Sequence, residues 1–386
     1  MSTRTVAITL PTLLQGGTEI QTLALARVLK EKGYRVVVCC YYESEREMAE
    51  EFRKAGAEVL FLNMKRASTG ASYGQMVVLL LELRRFFRAR KPDIVHVQYL
   101  APGFVPILAA RWAGVKKVFA TIHYPRYVFG LKELLLVRFA ARLCTMFFCN
   151  SLATERSWFR SAALFNGDER GAHPNHCTIY NAVDVEKLEK CAHALSKAEL
   201  KTQNGLGTNA VVGIVARLRA EKGHALLFQA MKSVLNSAPK TRLLVVGDGP
   251  DAASLRQLAD KLGIAQSVAW TGSKSQEETF TLYGAMDIVV VPSLFEGFGL
   301  SAAEAMAAGL PVIANKLDGL QEVLDDGVTG ILVRSGSIED LASSIIALLS
   351  DSAEGVQMGK KGKERVRELF SYERFAKIIL SAYERL

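Results

Sequence analysis

The stretch DIVVVPSLFEGFGLSAAEAMAAGLPVIA, Asp287 to Ala314, holds two short apolar, β-branched runs with a helix-like segment over 301–308 between them. Runs this apolar are expected to be covered on both faces, as strands of parallel sheets are, and strand–helix–strand is the unit that builds such sheets. The stretch also sets two acids, Glu296 and Glu304, around small and apolar residues. A plain account exists for Glu304. Ser301-Ala302-Ala303-Glu304 reads S-x-x-E, a capping box in which the carboxylate only returns a hydrogen bond to the start of its helix. That account leaves Glu296 unexplained, in a Gly-rich loop at the carboxyl edge of the expected sheet.

The same alternation runs outward in both directions. TVAITL, RVVVCC, AEVLFL, DIVHVQ, KVFATIH and MFFCNS read as strands, with helical segments such as Glu19–Lys32, Glu45–Ala55 and Gln75–Ala89 between them. Asn181–Thr208 is polar, is punctuated by Gly205 and Gly207, and reads as an interdomain connection. The alternation then restarts with AVVGIVA, RLLVVG, SVAWTG, DIVVVP, LPVIA and TGILV, separated by helices near 224–237, 251–263, 276–285, 301–308 and 319–325. At 386 residues, two cores are the natural division. The expectation is an α/β chain of two Rossmann-like, doubly wound domains facing across a cleft, 1–190 and 191–370, with a last helix over 371–386. Ligands of such sheets bind outside the carboxyl ends of the strands.

Composition narrows the classes. About half of the residues (49%) are hydrophobic, yet the longest apolar runs fall far short of the ~20 residues that span a bilayer. The start, MSTRTVAITLP, lacks a secretory pattern, so the chain reads as cytoplasmic. Six cysteines in so long a chain make no disulfide framework. HPNHC (His173, His176, Cys177) superficially has metal spacing, but without a second ligand pair it reads as a surface loop, and no metal is expected. Charge is uneven. Residues 1–190 hold 27 Lys and Arg against 17 Asp and Glu, a net of +10, whereas the remainder is close to neutral. Such asymmetry suits an anionic partner for the N-terminal half, and equally a solvated basic face.

Several motifs stand at strand ends. Gly16-Gly17 follows the first strand and opens a helix, where backbone N–H groups can approach phosphate; a plain tight turn explains it as well, and the dinucleotide fingerprint G-x-G-x-x-G is missing. Arg217 and Lys222 in GIVARLRAEKGH follow a central strand and suit a diphosphate. VVGDGP (Gly247 to Pro250) resembles many strand-to-helix turns. His123 follows VFATI; a lone histidine is more often structural, and only its strand-end position raises it. After Gly297, the amides of Phe298, Gly299 and Leu300 precede a helix N-terminus and are placed to meet phosphate oxygens.

RLRAEKG, VVGDGP and above all EGFGLSAAEAMAAGLPVIA closely resemble the retaining family-4 glycosyltransferases of GT-B fold, and with GGTE, IHYP and IYNAVD the resemblance extends from Leu10 to about Val333. It implies a transferase that uses a nucleoside-diphosphate sugar and keeps the anomeric configuration of its donor. By matching positions, Glu296 holds hydroxyls of the donor sugar and Glu304 accepts the ribose hydroxyls. Arg217 and Lys222 neutralise the diphosphate, helped by Gly16, Gly17 and the amides after Gly297, and His123 sits by the transferred sugar. The resemblance also implies a final helix, Ser371–Leu386, that crosses back to the N-terminal domain. The chain departs from the family at Ala182, where N-G-V-D is usual, and at Asp318-Gly319, where paired glycines are usual.

Departure of a nucleoside diphosphate builds negative charge that fixed cations and amides stabilise, and no D-x-D at a strand end calls for a metal. Front-face attack, with a donor phosphate oxygen taking the acceptor's proton, is preferred; Glu296 as a covalent nucleophile is the rival. The donor is expected to be a UDP-sugar, with a GDP-sugar next, its base read by a pocket around Trp270–Lys274. The N-terminal domain is left for a glycan or lipid-linked acceptor. There, YGQMVVLLLELRRFFRARKPD and YVFGLKELLLVRFAARLCTMFF interleave Arg84, Arg85, Arg88, Arg90, Lys132, Arg138 and Arg142 with apolar residues. These suit an anionic membrane surface at the inner face of a membrane, or core helices with snorkelling cations. A sugar-nucleotide epimerase of the same two-domain shape is the alternative enzyme. A nucleic-acid-binding module is disfavoured for want of any recognition signature.

Overall fold

Strands of the expected kind assemble into two separate parallel sheets. The computed structural model describes residues 3–65, 73–99, 103–165 and 175–385. These form one unit of Met1–Asn181 with Phe375–Leu386 and a second of Ala182–Arg374. His173 lies outside the described residues.

In the first unit, β1 (Thr5–Leu10), β2 (Arg35–Cys40), β3 (Glu58–Phe61), β4 (Ile94–Tyr99), β5 (Lys117–Ile122), β6 (Met146–Cys149) and β7 (His176–Thr178) run parallel in the order β3-β2-β1-β4-β5-β6-β7. Ala7 lies opposite both Val37 and Val95, and the sheet is buried on both faces. One face carries Ala7, Val95, Val97, Val118, Ala120 and Phe147 beneath the helices Tyr73–Arg90, Phe104–Trp112 and Leu131–Leu143. The other face is partly polar. His96 on β4 lies 2.6 Å through Nδ1 from the Tyr383 hydroxyl and 2.7 Å through Nε2 from Thr121 Oγ1. Phe119 packs 4.9 Å from the Tyr383 ring. Tyr383 belongs to the C-terminal helix Tyr372–Arg385, so this stretch helps to close the N-terminal core. Burial holds the His96 imidazole down to about 3, and it is neutral at physiological pH.

The second unit contains β8 (Val211–Val215), β9 (Arg242–Val246), β10 (Val268–Trp270), β11 (Ile288–Val291), β12 (Val312–Asn315) and β13 (Gly330–Val333), in the order β10-β9-β8-β11-β12-β13. The opening stretch is here: β11, the helix Leu300–Ala307 and β12, with Val289 opposite Val312. Asp287, just before β11, accepts from Val211 N–H and from Lys201 at 2.8 Å each and pairs with Lys197 at 2.6 Å. These bonds fasten the foot of β8 to β11.

Several local expectations differ from the structure. The polar stretch after Asn181 is no open connection: it holds the helices Val185–Ala192 and Lys197–Gln203, capped by Asp184 and Ser196. Both belong to the second unit, whose boundary is Asn181/Ala182 and not residue 190. Short helices with one exposed face have the composition of a linker, which explains the misreading. Further on, the helices Ile338–Ser350 and Ser352–Leu369 precede the final helix. Gly359 in the second of them lets two backbones meet, because a Cβ there would stand 2.0 Å from Gly309 O.

Of the doubtful residues, Ala182 causes no distortion: it is not among the positive-φ positions of the described residues, and Val183 N–H bonds Phe370 O at 2.8 Å. HPNHC is no surface loop in its described part: His176 and Cys177 lie on the buried strand β7, where His176 is committed to Glu155, 2.7 Å away, and stacks on Phe159. Cys177 is buried, and burial pushes its thiol well up.

Candidate active site

In the second sheet the chain leaves β8 toward β9 and β10 but leaves the adjacent β11 toward β12 and β13. This is the topological switch point, where doubly wound sheets hold ligands beyond the carboxyl ends of the strands. The two loops that start there, 216–223 and 292–299, are locked to each other. Leu294 N–H donates to Glu221 O at 2.8 Å, and a Cβ on Gly223 (φ +73°) would stand 1.9 Å from Pro292 O. Asn315, fully buried at the end of β12, donates through Nδ2 to Pro292 O and Ser293 O at 2.9 Å each. A Cβ on Gly319 would come within 2.8 Å of the carbonyls of Glu296 and Gly297, so this second residue of the Asp318-Gly319 pair serves packing. Asp318 is exposed.

VVGDGP stacks on the same structure from the β9 side. A Cβ on Gly247 would lie 2.1 Å from Ala216 O and one on Gly249 2.4 Å from Leu218 O, while Leu218 N–H bonds Asp248 O at 3.0 Å. Its glycines are therefore required by loop-on-loop backbone contact.

On this frame Lys222 Nζ and Glu296 Oε2 form a 2.8 Å ion pair, both groups being partly buried. The cation assigned to the diphosphate and the acid assigned to the sugar thus occupy one spot and limit each other's rotamers. Arg217 is exposed and has no ion-pair partner among the described residues. Phe298 contributes backbone only, because its ring is buried edge-on against Phe370, 5.2 Å away. Gly299 (φ +102°) is the N-cap of the helix Leu300–Ala307 and offers no capping side chain. The first intrahelical bond is Ala303 N–H to Gly299 O, leaving the amides of Leu300, Ser301 and Ala302 at an open, positively polarised end.

The capping-box account of Glu304 fails on this geometry. Ser301 lies inside the helix, not at its cap, and Glu304 Oε2 instead accepts from the Tyr283 hydroxyl at 2.9 Å. Burial pushes the Glu304 carboxyl up to about 7, against a smaller pull downward from Tyr283. Tyr283, 21 residues earlier in the chain, left no mark in the motif. Trp270 packs on Phe228 and lies beneath Arg256, so the segment proposed to read the base includes a ring already committed to packing.

Gly16, Gly17 and His123 belong to the first unit. Gly16 precedes the helix Gly17–Glu31, and a Cβ there would stand 2.8 Å from Glu19 Oε2. Glu19 is itself buried and accepts from Thr12 Oγ1 at 2.9 Å. The glycine thus makes room for a carboxylate at this turn. His123 follows β5 and is buried, with Nε2 2.8 Å from Gln98 Oε1. Asn150 Nδ2 donates to the His123 carbonyl at 3.1 Å, and Nδ1 has no partner among the described residues. Burial lowers the His123 pKa to about 4, so the ring is neutral and a proton on Nε2 leaves Nδ1 as an acceptor. A cavity of about 30 Å³ beside it, lined in part by Gln21, Gln98 and Asn181, has room for a water. Gln98 and Asn150 were not legible as partners of His123, because polar residues at strand ends are common.

Known families match both halves of the chain. The model of glycosyltransferase family 4 matches residues 15–187, and that of glycosyl transferases group 1 matches residues 196–365. A D-inositol 3-phosphate glycosyltransferase of Segniliparus rotundus is 34% identical over 221 residues, 54% of this chain and 49% of that protein. The sulfoquinovosyl transferase SQD2 of Arabidopsis thaliana is 28% identical over 89% of this chain and 65% of its own length. Such matches span about half to two thirds of the length of the curated relatives. Among solved structures, Anabaena Alr3699/HepE in complex with UDP and glucose superposes with a TM-score of 0.84 at 21% identity, covering 99% of both chains. That likeness establishes the fold.

Proposed function

We propose that this chain, which belongs to the family-4 glycosyltransferases of GT-B fold, transfers a hexose or N-acetylhexosamine from a nucleoside-diphosphate sugar, with retention of configuration, to a lipid-linked or surface-glycan acceptor. The observation that carries this reading is the switch point of the second sheet, where Arg217, Lys222, Glu296 and the open N-terminus of the helix Leu300–Ala307 sit on two interlocked loops. In this reading Arg217, Lys222 and the amides from Gly297 to Leu300 meet the charge that grows on the departing diphosphate, without a divalent metal. Glu296 orients donor-sugar hydroxyls, and Lys222 fixes its rotamer beforehand. Glu304 takes the ribose hydroxyls, exchanging its bond to Tyr283. His123 accepts from a hydroxyl of the transferred sugar through Nδ1. The acceptor attacks from the front face, and its proton passes to a donor phosphate oxygen. UDP is favoured over GDP as the nucleotide, supported by the HepE complex with UDP and glucose. The basic N-terminal unit brings the protein to an anionic membrane surface on the cytoplasmic side.

Thermal shift with UDP, GDP, ADP and NAD tests the donor. UDP alone is expected to raise the melting temperature, and Arg217→Ala to weaken UDP binding about tenfold, the loss of roughly 1.4 kcal/mol that one charge-assisted contact supplies. A shift with NAD and none with any nucleoside diphosphate overturns the reading. Transfer is expected to persist in EDTA. Glu296→Gln should lower turnover while UDP still binds.

A further inference from the structure

The helices Tyr73–Arg90, Phe104–Trp112 and Leu131–Leu143 pack side by side over one face of the N-terminal sheet. Leu79, Leu83, Phe87, Leu134 and Val137 enter the core. Their outer side is apolar as well. On the first helix Tyr73, Val77 and Leu81, spaced i, i+4, i+8, are 85%, 53% and 47% exposed. On the third helix Leu131, Leu135 and Phe139 repeat that spacing at 66%, 61% and 49%. On the middle helix Trp112 is half exposed beneath the Arg84 guanidinium, which lies 3.8 Å from its ring centroid. A surface helix that serves only a core turns polar residues outward. The first and third of these helices present apolar stripes both inward and outward.

Charge identifies the occupant. The three helices carry eight cations and two acids, a net of +6, against +9 for the whole chain. Arg85, Arg88, Lys132 and Arg142 are exposed among the apolar stripes. A second copy of the chain would set this charge against itself. An apolar surface edged with Arg and Lys and holding a half-exposed tryptophan suits the interfacial zone of an anionic bilayer. Among the described residues no helix is long and apolar enough to cross a membrane, so the contact lies in the plane of the surface.

We infer that the outer side of these three helices is a docking surface for an anionic lipid bilayer. The Tyr73–Leu81 and Leu131–Phe139 stripes enter between headgroups, and the cations meet lipid phosphates. The inference deepens the lipid-linked-acceptor reading and rests on it for its purpose. Its test does not depend on the donor. The full chain is incubated with vesicles of phosphatidylcholine and phosphatidylglycerol (1:1), or of phosphatidylcholine alone, and sedimented. Binding to the anionic vesicles is expected to be at least tenfold tighter. Leu131→Glu with Leu135→Glu, both at well-exposed positions, should weaken it at least tenfold with the melting temperature and UDP response unchanged; Arg85→Glu with Arg88→Glu should weaken it similarly. Failure to bind anionic vesicles overturns the inference, as does equal binding by the apolar double variant. So does a self-associated wild type that this variant returns to monomer. Vesicle binding with no nucleoside-diphosphate response supports the surface and breaks the donor reading instead.

Discussion

The two sheets carry their functional edges by opposite means. At the carboxyl edge of the second sheet, backbone rests on backbone: Gly223 against Pro292, Gly247 against Ala216, Gly249 against Leu218 and Gly319 against the Glu296 and Gly297 carbonyls. At the first sheet, neutral side chains, most of them buried, do the holding: Gln98 on His123, Asn150 on the His123 carbonyl, and Tyr383 and Thr121 on His96. The first design fixes where a ligand's charged groups meet amides and cations and tolerates no added atom. The second fixes the orientation of imidazoles and loses single hydrogen bonds when altered. A diphosphate site gains from the first, since misplaced charge is costly, whereas hydroxyl recognition needs only an oriented acceptor.

The largest effect that separates them is expected at Gly223. Gly223→Ala meets two obstacles, a φ of +73° and a Cβ 1.9 Å from a carbonyl oxygen belonging to the partner loop. Strained φ and backbone displacement together should cost on the order of 3 kcal/mol, read as a fall in the urea midpoint of the purified variant. UDP stabilisation should vanish as well, because the two loops part. A variant that keeps both stability and UDP binding breaks the account of a backbone-locked edge.

Glu304 gives a comparable effect with the opposite sign. Its folded carboxyl is pushed up to about 7, above the 4.5 of an ordinary glutamate, so the unfolded chain releases this proton first. Stability from this group is therefore complete below about pH 4.5 and declines as pH rises to about 7. Glu304→Gln removes the penalty and keeps an acceptor for Tyr283. It should match the wild type at pH 4.5 and exceed it by up to roughly 3 kcal/mol at pH 8, measured by chemical unfolding at both pH values. Nucleotide affinity should fall in the same variant. Gained stability with lost binding is the mark of a buried acid kept for a ligand; a loss of stability at both pH values returns Glu304 to an ordinary structural role.

The difference between the edges also governs what was legible in the sequence. Backbone-locked loops need glycines close to strand ends, and RLRAEKG, VVGDGP and EGFGLSAAEA are visible as strings. The regular alternation of β-branched runs and helical segments likewise gave away every strand except the short β7, down to a helix at His224–Ser237. Partnerships between buried side chains leave no such string. Gln98 lies 25 residues from His123, and His96 lies 287 from Tyr383. S-x-x-E misled because the pattern is satisfied by sequence alone, while Gly299 takes the cap position and leaves Ser301 two residues inside the helix. The helix Ser352–Leu369 was hidden by Gly355, Gly359 and Gly362, residues that read as breakers but here let the helix meet neighbouring atoms closely. Two-sided apolar helices were visible as composition. Which side faced the core required the packing.

The smallest effect is expected where the first unit uses the C-terminal helix. Tyr383→Phe keeps the ring against Phe119 and removes only the hydroxyl 2.6 Å from His96 Nδ1. A buried nitrogen left without its partner costs about 1–2 kcal/mol, less than the backbone clash at Gly223. The pH dependence tells the two apart. The neutral state of His96, held by burial at about 3, lies below the ordinary 6.5, so the unfolded chain takes up the proton first and stability falls as pH drops below about 6.5. With the hydroxyl gone the ring stays buried, so this acid loss should persist with the same slope in Tyr383→Phe, offset downward at every pH. A slope that flattens would mean that water has entered beside His96 and solvated the imidazolium. The side-chain edge would then be soft where the glycine-locked edge is stiff, and the contrast between the sheets would be sharper than single hydrogen bonds imply.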